Sequence, residues 1–92
     1  MQTYIYKSRK KDELYLYLRK KDDFSAVPPA LFDAMGANPI FVMELTLTPE
    51  RQLAREDVTI VIRHLQTQGF HVQMPPPALN LLETRKPGEQ AN

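Results

Sequence analysis

Asp22 and Asp23 stand directly behind three cations, Arg19, Lys20 and Lys21, and ahead of Phe24 and Ser25. Two adjacent carboxylates could take part in binding a hard cation such as Mg²⁺, which prefers oxygen ligands and often adds substrate phosphates to one or two carboxylates. The neighbouring lysines weaken the field that would attract such an ion. Asp and Ser in a short polar stretch ordinarily accept hydrogen bonds from turn backbone instead. The turn role is therefore expected for Asp22 and Asp23, and no metal site is assigned.

The cations raise a second possibility together with Tyr4, Tyr6, Tyr15 and Tyr17. A face carrying those rings beside Lys20 and Lys21 could stack bases and hold phosphates. The plainer alternative is that helices cover the rings and leave only the hydroxyls in water, as is common for tyrosine. Exposure of the rings decides between the two.

His64 and His71 read as separate side chains, one just off the apolar face of a helix and the other beside Gln73 on the polar side of a strand. Without a nearby acidic or cysteine cluster they make a poor metal site and an incomplete acid–base set. Ser8 and Ser25 have no nucleophile-elbow context, and Gly36, Gly69 and Gly88 form no phosphate loop. Catalysis is left open, with the balance against an enzyme, and no catalytic residue or cofactor is assigned.

The chain that must position these residues has 92 amino acids, net charge +1 and no cysteine. One domain of this size buries roughly 60–65% of the surface of its unfolded chain, and without disulfides its stability rests on packing. The near-neutral charge gives no global attraction for nucleic acid or anionic membrane. However, seven of the twelve cations lie between Lys7 and Lys21, so any basic patch is local. Apolar runs such as Ile40 to Met43 are far below the ~20 residues of a membrane span, and the first residues do not resemble a signal peptide. A soluble, cytoplasmic protein is expected.

Residues 3–6 and 14–19 alternate with the period of strands, joined by the polar turn Ser8 to Glu13. Setting Ile5 on one face with Leu16 pairs Tyr6 with Tyr15 and Tyr4 with Tyr17, which would place all four tyrosines on one side. A short helix should begin near Pro28 or Pro29 and stop at Gly36. Ile40 to Leu47 is apolar on both faces until Glu44 and reads as a central strand covered on both sides. Thr48-Pro49-Glu50-Arg51 resembles a capped helical turn. A longer helix from Glu56 to Gln68 carries Val58, Val61, Ile62 and Leu65 on one face. Gly69 ends it, and Phe70 to Met74 alternates as the last strand. Pro75-Pro76-Pro77 stops that strand and serves as a rigid connector to a short helix around Leu79, Leu81 and Leu82; an offered polyproline segment is the alternative.

The segments "YIYKSRKKDELYLYLRKKDDFSAVPPAL", "VMELTL" and "HLQTQGFHVQMPPPALNLL" resemble the YcgL family of small bacterial proteins. The likeness covers residues 3 to 82 in order, and its most specific pieces are "YLYLRKKDDFS" and "GFHVQMPPP". It implies an α/β/α sandwich on a small, largely antiparallel sheet, an α+β fold with element order ββαβαβα. The family's biochemical function is uncharacterised, so no catalytic residues transfer. Relatives often carry cysteine and valine where this chain has Thr3 and Tyr4, which argues against a family-wide thiol at that position.

Residues 1–82 are thus expected to form one domain, with 83–92 a flexible tail. The leading functional expectation is a small non-enzymatic binding or adaptor protein. It would use the basic end of the N-terminal hairpin, with Tyr15, Tyr17, Arg19, Lys20, Lys21, Asp22 and Asp23 as candidate contacts. The expected partner is another protein, with RNA as the alternative and a metal-dependent enzyme a weaker third. No membrane partner is expected, and the oligomeric state is not legible.

Overall fold

A computed structural model of the chain describes residues 1–76. Six elements follow in order: β1 (Gln2–Lys7), β2 (Tyr15–Leu18), α1 (Pro29–Ala34), β3 (Ile40–Thr46), α2 (Val58–Thr67) and β4 (Phe70–Gln73). The helix expected around Leu79 to Leu82 and the tail 83–92 lie outside the described residues.

The four strands form one sheet in the order β3-β1-β2-β4, and every neighbouring pair is antiparallel. One helix covers each face. On one side, Tyr6, Leu14, Leu16, Leu18, Val27 and Met35 form a buried cluster, with Leu31 and Phe32 of α1 packed on it. On the other, Ile5, Tyr17 and Leu47 meet Val58, Val61 and Leu65 of α2. This is the α/β/α sandwich that the family resemblance implied.

The helix termini follow from local chemistry. Proline at the first position of α1 has its φ preset and no N–H to leave unpaired. The Asp57 carboxylate accepts from the backbone N–H of Thr59 at 2.9 Å and from its hydroxyl at 2.6 Å, capping α2. The helix consequently starts at Val58, two residues after the expected Glu56, and it ends one residue before the expected Gln68. The segment Thr48 to Arg51 is a simple turn, closed by the Arg51 N–H on the Thr48 carbonyl at 3.0 Å, rather than a helical start.

The hairpin register differs from expectation by one residue. Tyr4 pairs with Leu18, Ile5 with Tyr17, Tyr6 with Leu16 and Lys7 with Tyr15. The tyrosines are therefore divided: Tyr4 and Tyr6 face α1, whereas Tyr15 and Tyr17 face α2. Alternation could not fix this register, because tyrosine is apolar enough to enter a core and both strands are apolar on both faces. The connecting loop fixes it instead. The Ser8 hydroxyl accepts from the N–H groups of Lys10 and Lys11 at 3.0 and 2.9 Å. The Ser8 N–H bonds the Leu14 carbonyl at 2.9 Å, and Leu14 turns into the core before the strand begins.

The second correction concerns β3, which among the described residues is an edge strand paired only with β1. Its apolar residues are not covered on both sides: Phe41, Val42 and Met43 are 40%, 44% and 43% exposed. Pairing passes from Ile5↔Met43 to Tyr6↔Phe41, so Val42 is the extra residue of a β-bulge. Sequence alternation cannot distinguish such a bulge from a doubly covered strand.

Gly69 joins α2 to β4 at φ +87, and a Cβ built there would stand 3.0 Å from the Ala26 Cβ. Its carbonyl also accepts from the Arg19 N–H at 3.3 Å. Gly69→Ala should therefore destabilise by about 1–2 kcal/mol from left-handed backbone strain and shift the Arg19 amide resonance. Thermal unfolding and an amide correlation spectrum check both effects.

Candidate functional site

Residues 19–25 leave β2 and fold back across the α1 side of the sheet. The Asp23 N–H closes a turn on the Lys20 carbonyl at 3.2 Å. Asp22 takes φ +62, a left-handed conformation that Asp tolerates better than most residues. The backbone N–H of Asp22 donates to the Tyr6 hydroxyl oxygen at 2.7 Å, and the Tyr6 hydroxyl donates to the Asp22 carboxylate at 2.9 Å. The Asp23 carboxylate accepts from the Ser25 N–H at 3.1 Å and hydroxyl at 2.6 Å. Those Ser25 bonds hold the Asp23 carboxyl below its ordinary pKa. Both aspartates thus play the expected turn role. Phe24 is folded inward, its ring 5.1 Å from that of Tyr6 and 5.3 Å from that of Phe32.

With the carboxylates engaged inside the turn, Arg19, Lys20 and Lys21 project to solvent. None of the three forms an ion pair among the described residues. The Lys21 ammonium lies 4.7 Å above the Phe41 ring, joining the basic loop to the exposed edge strand. A cation and an aromatic ring at this distance attract one another through the ring quadrupole.

The candidate contacts therefore do not form one surface. Arg19 to Asp23 gather on the α1 side, while Tyr15 and Tyr17 belong to the α2 side. Tyr17 is buried and Tyr15 half-buried. The shared face of four tyrosines does not exist, since Tyr6 is 1% and Tyr17 5% exposed. Tyr15 instead helps to line a cleft of about 400 Å³ with Ile5, Tyr17, Val42, Met43 and Leu53.

The histidines need a further correction. His71 is buried, not set on a polar face, and it links two groups that looked unrelated. Its Nε2 meets Glu56 Oε1 at 2.5 Å, and its Nδ1 meets His64 Nδ1 at 2.8 Å. With Nε2–H of His71 donated to Glu56, its Nδ1 accepts from Nδ1–H of His64. The outer Nε2 of His64 is then an acceptor. Glu56 thereby sets the tautomer of His71, as carboxylates do for ligating and catalytic histidines. The cleft lined by Ile5, Tyr15 and Leu53 does not include these histidines; the chain ties α2 to β4. Its sequence signal was the α2–Gly69–β4 reversal, which folds residue 71 back toward residue 64.

Tyr17 packs edge-on against His71 at 5.4 Å, and its hydroxyl donates to Gln73 Oε1 at 2.7 Å. Burial raises its phenol pKa, with the Glu56 charge adding to the effect and Arg55 opposing it. Burial likewise raises Tyr6, partly offset by the Asp22 N–H. These neutral phenols contribute stability that is intact below the unfolded tyrosine pKa of about 10. It declines as pH rises through their higher folded-state values. Ultraviolet titration should show two late-ionising tyrosines, one of which disappears in Tyr17→Phe.

The YcgL domain profile matches residues 3–76. The chain belongs to the YcgL family. A YcgL domain-containing protein of Thioalkalivibrio sulfidiphilus is 51% identical over 76 residues, covering 83% of this chain and 93% of the relative. One from Pseudomonas paraeruginosa is 56% identical over 72 residues, covering 78% and 73%, and one from Stutzerimonas stutzeri is 54% identical over the same span. The YcgL match takes in β1 from Thr3 onward, β2, β3, β4, α1, α2, the basic loop and the Glu56–His71–His64 chain. Thr3 is fully buried and donates its hydroxyl to the Leu18 carbonyl at 2.9 Å. No helix among the described residues is long and apolar enough to cross a membrane.

Proposed function

We propose that the protein is a cytoplasmic, non-enzymatic binding module that recognises an acidic segment of a partner protein through Arg19, Lys20 and Lys21. The observation that carries this reading is the asymmetry of charge in the loop. Its two carboxylates are turned into local hydrogen bonds, while its three cations face outward without ion pairs among the described residues. The turn, the Tyr6 bond and the Gly69 carbonyl fix the loop, which lowers the ordering cost of binding. Complementary charge of this kind steers encounter and discriminates among partners.

The RNA reading has less support. Stacking recognition needs accessible ring faces, and Tyr6 and Tyr17 are covered. Joint replacement of Arg19, Lys20 and Lys21 by alanine should reduce partner recovery from native lysate about tenfold or more, with or without nuclease. Unchanged recovery would remove the assignment. Loss of the captured species on nuclease treatment would turn it toward RNA.

A further inference from the structure

We propose that β3 is the dimerisation edge of this chain, pairing antiparallel with β3 of a second copy about a two-fold axis between Val42 and Met43. The strand offers seven residues of edge backbone, yet its one charged side chain is Glu44 and it contains neither lysine nor proline. Those are the residues that usually guard an open edge. Phe41, Val42 and Met43 are at the same time among the most exposed large apolar side chains of the described residues.

The bulge selects the register. Phe41 and Glu44 pair with Tyr6 and Tyr4 and so lie on the α1 side. Ile40, Met43 and Leu45 pair with Lys7, Ile5 and Thr3 and lie on the α2 side, where Val42 lines the same cleft as Met43. From Ile40 to Leu45 the faces therefore run α2, α1, α2, α2, α1, α2, which reads identically in both directions. Opposed residues in an antiparallel pair must share a face. An axis between residues 42 and 43 satisfies that throughout, setting Ile40 against Leu45, Phe41 against Glu44 and Val42 against Met43. An axis on Met43 opposes Phe41 to Leu45 and sets side chains on contrary faces. An edge bulge ordinarily discourages pairing; here it makes the strand self-complementary.

Charge favours the same arrangement. Lys21 sits above Phe41, and the proposed pairing brings Glu44 of the second copy opposite Phe41, so each end of the seam joins a lysine to a carboxylate. On the other face, Val42 and Met43 of the second copy extend the apolar lining of the cleft bounded by Leu53 and Tyr15. The interface is isologous and closes at two chains.

Sedimentation of the intact chain from about 10 µM to 1 mM should show its mass rising toward two copies. Met43→Lys should weaken association about tenfold or more while leaving the circular dichroism spectrum and thermal midpoint close to wild type, because residue 43 is already 43% exposed. Since the chain lacks cysteine, a mixture of Val42→Cys and Met43→Cys chains should cross-link faster than either variant alone. A single-chain mass throughout, dimers indifferent to Met43→Lys, or preferential self-cross-linking of Met43→Cys would overturn the proposal. Met43→Lys leaves Arg19 and Lys20 in place, so loss of dimerisation and loss of partner binding are read separately.

Discussion

Tyr6→Ala is expected to lower the unfolding free energy by about 3–5 kcal/mol, the range for removing a large buried aromatic side chain. Against a typical total of roughly 5–15 kcal/mol, that would leave a marginal fold. The ring is 1% exposed and meets both Phe24 and Phe41 edge-on at 5.1 and 5.5 Å. Its hydroxyl simultaneously holds the backbone and carboxylate of Asp22. Tyr6→Phe separates the two roles: it keeps the ring packing and should cost about 1–3 kcal/mol for the unsatisfied Asp22 groups. Urea unfolding gives the free energies, and the Asp22 amide resonance reports whether the basic loop has come loose. A Tyr6→Ala loss below about 1 kcal/mol would mean that the loop and core do not depend on this ring.

The next largest effect is expected at His71. Its replacement by alanine should destabilise by about 2–4 kcal/mol through lost packing on Tyr17 and loss of hydrogen-bond partners for Glu56 and His64. Glu56→Gln is the milder change, since an amide still presents an oxygen to the imidazole. Nitrogen-15 spectra that resolve the imidazole tautomers should show a proton on Nε2 of His71 and on Nδ1 of His64 in the native chain. Glu56→Gln should disturb the first of these. Wild-type stability in His71→Ala would contradict the role of this side chain in joining β4 to α2.

The hydrophobic period made most of the architecture legible. Val58, Val61 and Leu65 declared the buried face of α2, while Pro28-Pro29 and Gly36 marked the ends of α1 closely. The turn role of Asp22 and Asp23 was readable because their chemistry is local. What failed to read was long-range. Tyrosine alternating with leucine makes both faces of β1 and β2 plausible core, leaving the register to a loop hydrogen bond at Ser8. A bulge at Val42 imitates a doubly covered strand. Glu56, His64 and His71 become neighbours only after the reversal at Gly69, and nothing in their separate surroundings announces it. Family resemblance supplied the layer arrangement but no chemistry; Arg19, Lys20 and Lys21 were candidates from the sequence, and only the hydrogen bonds of Asp22 and Asp23 separate them from their acidic neighbours.

The extra residue at Val42 also bears on how the chain can change length. Excising it would bring Phe41 and Met43 into simple alternation opposite Tyr6 and Ile5, without moving either side chain to the other face of the sheet. This is therefore a strand position at which a one-residue deletion preserves the inward and outward sense of every neighbour, whereas a deletion within β2 would invert the residues beyond it.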